Sequence, residues 1–573
     1  MRSLPVLVAL GAFPVLLAAQ DAPKPQTVGA APTANALPLK LTPKPTTAGI
    51  TVEDLMTRVY VFADDSMMGR EAGTQGSTKA TEYLAAEAKR IGLVPAGENG
   101  TYFQTLPIKQ RKVDPLSSFI AGTANLTFGK DWAIGGQTTL NKEGLETVYG
   151  GALGDTVNRV TAAQAAGKLV LLTVPLTMEA INNAATSEAS PVPSSAAGVA
   201  LLMPPQVMPQ LSAFMHRADV TVLDGALAPV RLFLNAGAAS LLFTKPLNEL
   251  VVGDAGAKVS VNAIVTMTDN AFPARNVIGI LPGSDPVLKN QYVAIGAHSD
   301  HVGIAPRAMA HDSMLVLNRI VRPGGAEDEG KEATPAQMAE INAELAEMRK
   351  KTPARADSIF NGADDDASGS MSVLEIAESM AAARTKPKRS TLFVWHVGEE
   401  KGLWGSHYFT EHPTVPRDSI IAQLNMDMVG RGAPTDQTGV SIDGKELRGG
   451  PDYLQLVGSR RLSAELGDLV ERVNSTKQHN FKFDYGMDAN GHPMNIYCRS
   501  DHYEYAKFGI PVAFMTTGGH SAYHQLTDEP QYIDYQHLSR VAKLVADLAL
   551  DLGNGPRPKL NGPRPDPKAP CKQ

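Results

Sequence analysis

The sequence predicts an α/β protein with a mostly parallel, mixed sheet covered by helices on both faces, and with a β-rich unit inserted into it. Two observations support this fold class. From residue 273 onward, continuous apolar segments such as YVAIGA, TLFVWHV, IIAQLNM and IPVAFM alternate with amphipathic helical segments such as SMSVLEIAESMAAAR, a pattern typical of strands buried on both faces. Between residues 113 and 272, short β-rich segments such as KLVLLTV and VSVNAIV alternate instead with loops rich in Gly, Ala and Pro.

The composition is that of a globular protein with more than one structural unit. The chain has 573 residues, of which 43% are hydrophobic and 20% charged, whereas single cores stop growing at about 250–300 residues. A net charge of −6 indicates no basic face, so we expect no nucleic-acid partner. Two cysteines, Cys498 and Cys571, are too few for a disulfide scaffold or a cysteine-ligated metal site. We expect both thiols to be free, with a disulfide as the alternative, because Cys571 falls in a Pro-rich tail.

Residues 1–19 have the pattern of a secretory signal peptide. Arg2 precedes an apolar stretch over residues 4–17, and two alanines follow it. The stretch is too short and too interrupted by proline to span a membrane. A buried N-terminal helix is the alternative, but Pro5 and Pro14 disfavour it. We therefore expect a secreted or periplasmic protein without a membrane anchor.

The rest of the chain divides into a linker, an interrupted main domain, an insert and a tail. The predicted boundaries are 20–48 for a Pro-rich linker, 49–112 and 273–552 for the main domain, 113–272 for the β-rich insert, and 553–573 for a disordered tail that repeats NGPRP. Within the first part of the main domain, apolar residues at helical spacing predict two helices, the second ending at Gly92.

Polar side chains follow the predicted strands of the main domain at their carboxyl ends. In α/β sheets this edge is where ligands bind. The side chains concerned are His298 and Asp300 after the first strand, Glu399 and Glu400 after the second, Asp427 after the third, and His524 after the fourth.

Imidazole and carboxylate groups without thiolates suit zinc, manganese or cobalt in a catalytic site. Two such metals about 3.5–4 Å apart share a bridging carboxylate and a water. The paired glutamates divide naturally into one metal ligand and one general base for that water. Asp300 suits the role of orienting an imidazole.

The acidic loop FNGADDDASGS, residues 360–370, admits three interpretations. Its carboxylates could bridge two metals, cap the N-terminus of the following helix through Asp366 or Ser368, or form a calcium loop running from Asp364 to Glu375. The calcium loop is disfavoured because Pro353 and the segment ADSIFNG stand where an entering helix is required. We also expect Glu375 to face solvent from within the following helix.

Taken together, these segments resemble the secreted dizinc aminopeptidases, which are relatives of the bacterial leucyl aminopeptidases and of glutamate carboxypeptidase. The resemblance covers roughly residues 52–110 and 273–550, and residues 113–272 resemble the protease-associated (PA) domain that several relatives carry at this point. The segments that carry it are MMGREAGTQGS, GTYFQTLPI, AHSDHVG at 297–303, NGADDDASG at 361–369, GEEKGLWGS at 398–406, LNMDMVGR at 424–431 and YH at 523–524.

The resemblance implies a role for each of these residues. Two Zn²⁺ ions are expected, with Mn²⁺ or Co²⁺ as substitutes, and a cis peptide bond between Asp365 and Asp366. The implied roles are His298 and Asp427 as ligands of one metal, Glu400 and His524 as ligands of the other, Asp365 as the bridge between both, Glu399 as general base, Asp300 as the residue that orients His298, and Tyr523 as a donor that steadies the tetrahedral intermediate.

The sequence therefore predicts a zinc-dependent exopeptidase that acts on peptide substrates, as an aminopeptidase that releases N-terminal residues. The alternatives are a carboxypeptidase, a dipeptidase or another amide hydrolase of this family, and a non-catalytic binding relative. A long stretch at residues 304–358 between two ligands contains a further predicted helix, PAQMAEINAELAEMRKK. It is interpreted either as a lid over the substrate entrance or as a solvated insertion.

Overall fold

In a computed structural model, the structure describes residues 37–155, 157–175, 192–204, 206–215, 219–224 and 228–573. The predicted signal peptide and the linker up to residue 36 lie outside the described residues. The described chain divides into two compact units, one formed by residues 37–106 and 272–573 and the other by residues 107–271. No helix among the described residues has the length and apolar character needed to cross a bilayer.

The larger unit is built on a nine-stranded mixed sheet. Its four central strands run parallel to one another, and antiparallel strands flank them on either side. In spatial order the strands are Val94–Pro95, Arg275–Leu281, Ser390–His396, Tyr292–His298, Ile420–Met426, Val512–Thr516, Tyr453–Val457 and Lys482–Asp484, with Phe103–Thr105 also paired to Arg275–Leu281.

Helices cover both faces of this sheet, as the apolar strand sequences predicted. Alternate residues of a strand face opposite sides, so Val293 packs in the core on one face and Ala294 in the core on the other. Gly92, in the left-handed region with φ 85°, ends the second helix as expected. The helices of this unit are Val52–Phe62, Gln75–Ile91, His311–Val321, Pro335–Arg349, Gly369–Ala382, Trp404–Glu411, Ala464–Thr476, His502–Ala506 and Tyr535–Asn554.

The segment between residues 304 and 359 forms an antiparallel strand pair that frames two helices. The strands Ile304–Ala310 and Ala356–Ile359 pair with each other, and the helices His311–Val321 and Pro335–Arg349 pack through Val316, Val321 and Ile341. The predicted helix is present as Pro335–Arg349, with Thr334 as its N-terminal cap. A second small strand pair, Gln437–Val440 with Glu446–Arg448, lies elsewhere in this unit.

The smaller unit is β-rich and has its own core. Among the residues of this unit that the structure describes, the strands form three sheets, and three short helices accompany them: Ala162–Ala165, Met208–Met215 and Ala236–Ser240. The five-stranded sheet contains Trp132–Gly135, Val230–Leu234, Gly198–Leu202, Leu169–Thr173 and Thr147–Ala152. The four-stranded sheet contains Ala124–Leu126, Ser118–Ala121, Val259–Ala263 and Leu140–Leu145. The three-stranded sheet contains Asp219–Val222, Ile108–Val113 and Val265–Asp269.

The expectations of a disordered tail and of free thiols are wrong. Cys498 and Cys571 form a disulfide, with Cα atoms 5.9 Å apart. The tail has no helix or strand beyond residue 554, but Asn561 donates to the carbonyl of Arg460 at 2.9 Å, and Gln573 Oε1 accepts the Tyr497 N–H at 2.9 Å. These hydrogen bonds and the covalent link offset the entropy that a Pro-rich segment loses on ordering.

Candidate metal centre

The four central parallel strands bring the predicted ligands to one edge of the sheet. His298 is the last residue of its strand, Asp427 follows Met426, and Glu399 and Glu400 come shortly after His396. His524 lies in the loop that follows Thr516. Parallel strands place their carboxyl ends at a common edge, and this explains why residues far apart in sequence converge here.

Asp365 lies between the two histidines. Its Oδ1 is 2.9 Å from His298 Nε2, and its Oδ2 is 3.0 Å from His524 Nε2. His298 Nε2 is also 3.6 Å from Asp427 Oδ1, and His524 Nε2 is 2.9 Å from Glu400 Oε2. Each oxygen of one carboxylate thus faces a different histidine–carboxylate pair, which is the arrangement of a bridging ligand.

The chemistry of this donor set fits divalent cations. Three carboxylates predicted to be ligands, those of Asp365, Glu400 and Asp427, are buried together, and buried carboxylates require compensating positive charge. His298 Nε2 is buried and makes no hydrogen bond with the residues that the structure describes. Two groups of residues could each hold an ion, because within each group the donor atoms lie within 4.8 Å of one another. The first group is His301, Asp365, Glu400 and His524, and the second is His298, Asp366 and Asp427.

The two neighbouring glutamates differ in their electrostatic environment. Burial, reinforced by the charges of Asp427 and Glu400, raises the pKa of Glu399 well above its usual value. Burial and Asp365 also oppose ionisation of Glu400, but His524 and hydrogen bonds with His301 outweigh them and lower its pKa to about 2. Neighbouring carboxyl groups with opposite shifts are typical of a site in which one binds and the other transfers protons.

The cis peptide bond expected between Asp365 and Asp366 is present. Asp366 Oδ1 accepts the N–H of Gly369 at 2.8 Å, at the start of the following helix, so this aspartate caps that helix as the second interpretation predicted. Asp366 Oδ2 accepts the N–H of His298 at 3.1 Å. Its carboxylate therefore joins the acidic loop to the strand end that carries a ligand.

A calcium loop is excluded by where the remaining carboxylates point. Asp364 Oδ1 accepts the N–H of Gly430 at 2.6 Å, and Glu375 is buried in an ion pair with Arg58 at 2.8 Å. The expectation that Glu375 faces solvent is therefore wrong. Its helix lies between the sheet and other helices, so polar residues such as Ser370, Ser372 and Glu375 are buried.

Several residues that the sequence did not single out support the ligands. Ser500 donates to Asp427 Oδ2 at 2.7 Å, and Asp528 accepts the N–H groups of Asp364 and Asp365 at 3.0 Å. His301 Nδ1 lies 2.7 Å from Glu400 Oε1. The sequence signal for His301 was its place in AHSDHVG, one residue after Asp300, but a histidine in a loop is more often structural than functional.

Asp300 lies beside both His298 and Glu399. Its Oδ1 is 3.8 Å from His298 Nδ1 and accepts the N–H of Glu399 at 3.1 Å. The nearer group to His298 Nδ1 is the Asp300 backbone carbonyl, at 3.2 Å. The carboxylate of Asp300 thus contacts the backbone of Glu399, the general-base candidate. The orienting role of Asp300 toward His298 stays a prediction.

Tyr523 stacks on the neighbouring His524, a predicted ligand. The rings of Tyr523 and His524 have centroids 4.1 Å apart and planes inclined by 27°, and burial raises the pKa of Tyr523. A half-buried phenol with a raised pKa keeps its proton and remains a hydrogen-bond donor. Its hydroxyl lies 3.4 Å from Arg499 Nη2.

Comparisons with known proteins identify the part of the chain that carries this site. Residues 276–549 match Peptidase family M28. The chain is 24% identical over 258 residues to a probable leucine aminopeptidase of Trichophyton verrucosum, which covers 44% of this chain and 61% of that protein. It is 30% identical over 200 residues to leucine aminopeptidase 1 of Ajellomyces dermatitidis, covering 33% and 47% respectively. This chain therefore spans less than two thirds of the length of either relative.

Among solved structures, an aminopeptidase from Aneurinibacillus is similar with a TM-score of 0.45 and 18% sequence identity, over 90% of this chain and 96% of that one.

Proposed function

We propose that this chain, whose residues 276–549 match peptidase family M28, is a two-zinc aminopeptidase. The observation that carries the proposal is the position of Asp365, whose two carboxylate oxygens lie within 3.0 Å of His298 and His524 respectively. The leucine aminopeptidases among its relatives support release of N-terminal residues as the reaction.

The residues that would hold the metals are His298 and Asp427 for one ion, Glu400 and His524 for the other, and Asp365 for both. When bound, zinc supplies a Lewis acid that activates water and polarises the scissile carbonyl. Mn²⁺ or Co²⁺ would suit the same donors.

The chain's own residues would perform the remaining steps. Glu399, which is buried beside the ligands, would accept a proton from the attacking water and deliver it to the leaving amine. Tyr523, protonated and next to His524, would donate a hydrogen bond to the oxygen of the scissile carbonyl. Ser500 and Asp528 would hold Asp427 and Asp365 in place through the hydrogen bonds described above.

The non-catalytic alternative is disfavoured by the complete set of ligands together with a buried Glu399. An aminopeptidase is expected to cleave leucyl-p-nitroanilide and to spare peptides with acetylated N-termini. A carboxypeptidase would show the reverse preference.

We also propose that the chain acts outside the cytoplasm and that its smaller unit is a PA-like domain. The pattern of residues 1–19 supports export, and the Cys498–Cys571 disulfide supports an oxidising compartment. The β-rich composition and separate core of residues 107–271 support the domain proposal.

Glu399→Gln tests the assignment of the general base. We expect zinc content to stay at the wild-type level while kcat on leucyl-p-nitroanilide falls by about 10²–10⁴-fold, because the proton acceptor is lost but the ligands are intact. Asp365→Asn should instead lose zinc, as measured by metal analysis. Glu340→Gln, in the exposed helix Pro335–Arg349, is the matched control. Wild-type turnover in Glu399→Gln would refute the role.

A further inference from the structure

A partly exposed arginine lies beside the metal centre. Arg499 directly precedes Ser500, which donates to the ligand Asp427. Its Nη2 lies 2.6 Å from Glu327 Oε1 and 3.4 Å from the Tyr523 hydroxyl. Its charge is also near enough to Glu399 to interact with it electrostatically. The guanidinium therefore lies close to the residue next to His524 and near the general-base candidate Glu399.

Most of the hydrogen-bonding capacity of this guanidinium is unused. Nη2 makes both contacts with Glu327 and Tyr523, whereas Nε and Nη1 bond to none of the residues that the structure describes. The side chain is 28% exposed. A guanidinium presents a planar fork of donors that matches a carboxylate bidentately, so Arg499 can accept a further anion from solvent.

The counter-ion of Arg499 comes from the segment between the helices His311–Val321 and Pro335–Arg349. Glu327 has a side chain that is 40% exposed. Its neighbour Ala326 donates its N–H to the carbonyl of Tyr523 at 3.0 Å, which fixes the segment to the loop that carries His524. A partly exposed ion pair contributes little to stability, so a ligand carboxylate can take the place of Glu327.

We propose that Arg499 is a specificity-determining residue that binds a substrate carboxylate on the leaving-group side of the scissile bond, with Glu327 as an exchangeable counter-ion. The substrate class would be short peptides that carry a carboxylate one residue beyond the cleaved bond. That group is either the C-terminal carboxylate of a dipeptide or an acidic side chain in the second residue. The inference rests on the proposed peptidase function and adds the chemistry of its substrates.

The first test compares substrates that differ only in this charge. For wild-type enzyme loaded with zinc, kcat/KM for Leu-Gly is expected to exceed that for Leu-Gly-amide. In Arg499→Gln the ratio of the two values should fall about tenfold or more, since hydrogen bonds between charged groups are the strong ones. The loss is expected mainly in KM for Leu-Gly. An unchanged ratio would overturn the proposal.

Glu327→Gln gives a second, opposite readout. Removing the competing carboxylate should raise the Leu-Gly to Leu-Gly-amide ratio several-fold, whereas a merely structural ion pair would make both variants change both substrates alike. Arg460→Gln is the matched control, because it breaks an arginine–carboxylate contact of similar exposure, with Asp468 and Glu471. Its ratio should equal that of the wild type.

The source of the carboxylate is decided by a second pair of substrates, Leu-Glu-amide and Leu-Gln-amide. Discrimination by wild type that disappears in Arg499→Gln assigns the site to acidic side chains, and discrimination confined to Leu-Gly assigns it to dipeptides. If wild type cleaves all four equally, the carboxylate site is refuted and the peptidase proposal stands. If it cleaves none of them, nor leucyl-p-nitroanilide, both proposals are refuted.

Discussion

Arg70 is buried between the end of the strand that carries His298 and the loop that carries Asp365. Its guanidinium donates to the carbonyls of Ser299 at 3.2 Å, Asn361 at 2.6 Å and Gly362 at 2.9 Å, and also to that of Phe62 at 3.0 Å. Burial lowers the pKa of Arg70 to about 10, against the raising effect of nearby carboxylates such as Asp300. One side chain thus joins the backbones on either side of the metal centre.

We predict that Arg70→Lys lowers the free energy of unfolding by about 2–4 kcal/mol, because an ammonium cannot reach four carbonyls from one position and leaves buried acceptors unpaired. Zinc affinity should fall as well, since the segments that carry His298 and Asp365 lose a common anchor. Urea denaturation and competitive chelation measure the two effects. Arg564→Lys, at an exposed surface pair, should change neither.

For single residues, the sequence predicts membership of the candidate site only where the residue type is unusual for its position. A histidine or carboxylate at the end of an apolar strand stands out, and all five predicted ligands lie together in the structure. Ser500 and Arg70 gave no such signal. Serines and arginines are common in loops, and their importance here comes from which carbonyls and carboxylates the fold places around them.

Three helices of the larger unit are joined through one buried guanidinium. Arg58, in the helix Val52–Phe62, contacts Glu87 of Gln75–Ile91 at 2.8 Å and Glu375 of Gly369–Ala382 at 2.8 Å, and it also pairs with Glu378. Glu375 is the most buried of these carboxyl groups, and its Oε1 has no hydrogen bond with the described residues. Burial, partly offset by Arg58, raises the pKa of Glu375 to about 7.

This shift predicts a dependence of stability on pH. A carboxyl group whose pKa is higher in the folded state favours folding fully below its unfolded pKa of 4.5, and this contribution is lost as pH rises through about 7. Glu375→Gln should therefore gain stability relative to the wild type, by roughly 3 kcal/mol, between pH 4.5 and pH 8. Denaturant titrations at a series of pH values measure this difference.

Glu378→Gln is the control for this pH effect. Hydrogen bonds from Arg90 and Thr46 outweigh burial and lower the pKa of Glu378, so its contribution is complete above the unfolded pKa of 4.5 and is lost only as pH falls below it. The stability difference between Glu378→Gln and the wild type should stay constant from pH 5.5 to pH 8. A flat profile for Glu375→Gln would contradict the role assigned to its burial.

The periodicity of apolar residues predicts where strands and helices lie better than it predicts which of their faces are covered by other elements. The apolar segments ending at His298 and at His396 form strands because both faces of the sheet are covered. The same pattern assigned Glu375 to a solvent-facing position, because a glutamate in an amphipathic helix usually faces water. It could not show that two further helices, Val52–Phe62 and Gln75–Ile91, cover that side.

In the larger unit as a whole, the disulfide closes a loop of 73 residues that contains Arg499, Ser500 and His524. The sequence contains no pattern that pairs cysteines this far apart, and a Pro-rich segment gives no signal of docking. In the structure the end of the tail lies against Tyr497, which directly precedes Cys498, and this brings the two cysteines together.

We predict that the Cys498→Ser, Cys571→Ser double variant unfolds with a free energy lower by about 2–4 kcal/mol, because the unfolded chain regains the conformational entropy of this loop. Thermal unfolding measures the change. Wild-type protein treated with dithiothreitol should shift toward the variant, and the variant itself should not respond to the reductant. Equal unfolding temperatures for oxidised wild type and variant would show that the link adds no stability.

Gly325 matters for how a mutational scan of this protein is interpreted. Its φ is 60°, and a Cβ atom there would lie 2.6 Å from the carbonyl oxygen of Tyr523 and 2.9 Å from that of His520. Alanine at position 325 would push against the backbone next to His524. Such a scan would score this glycine as essential for activity, and only a measurement of zinc content would separate a displaced ligand loop from lost chemistry.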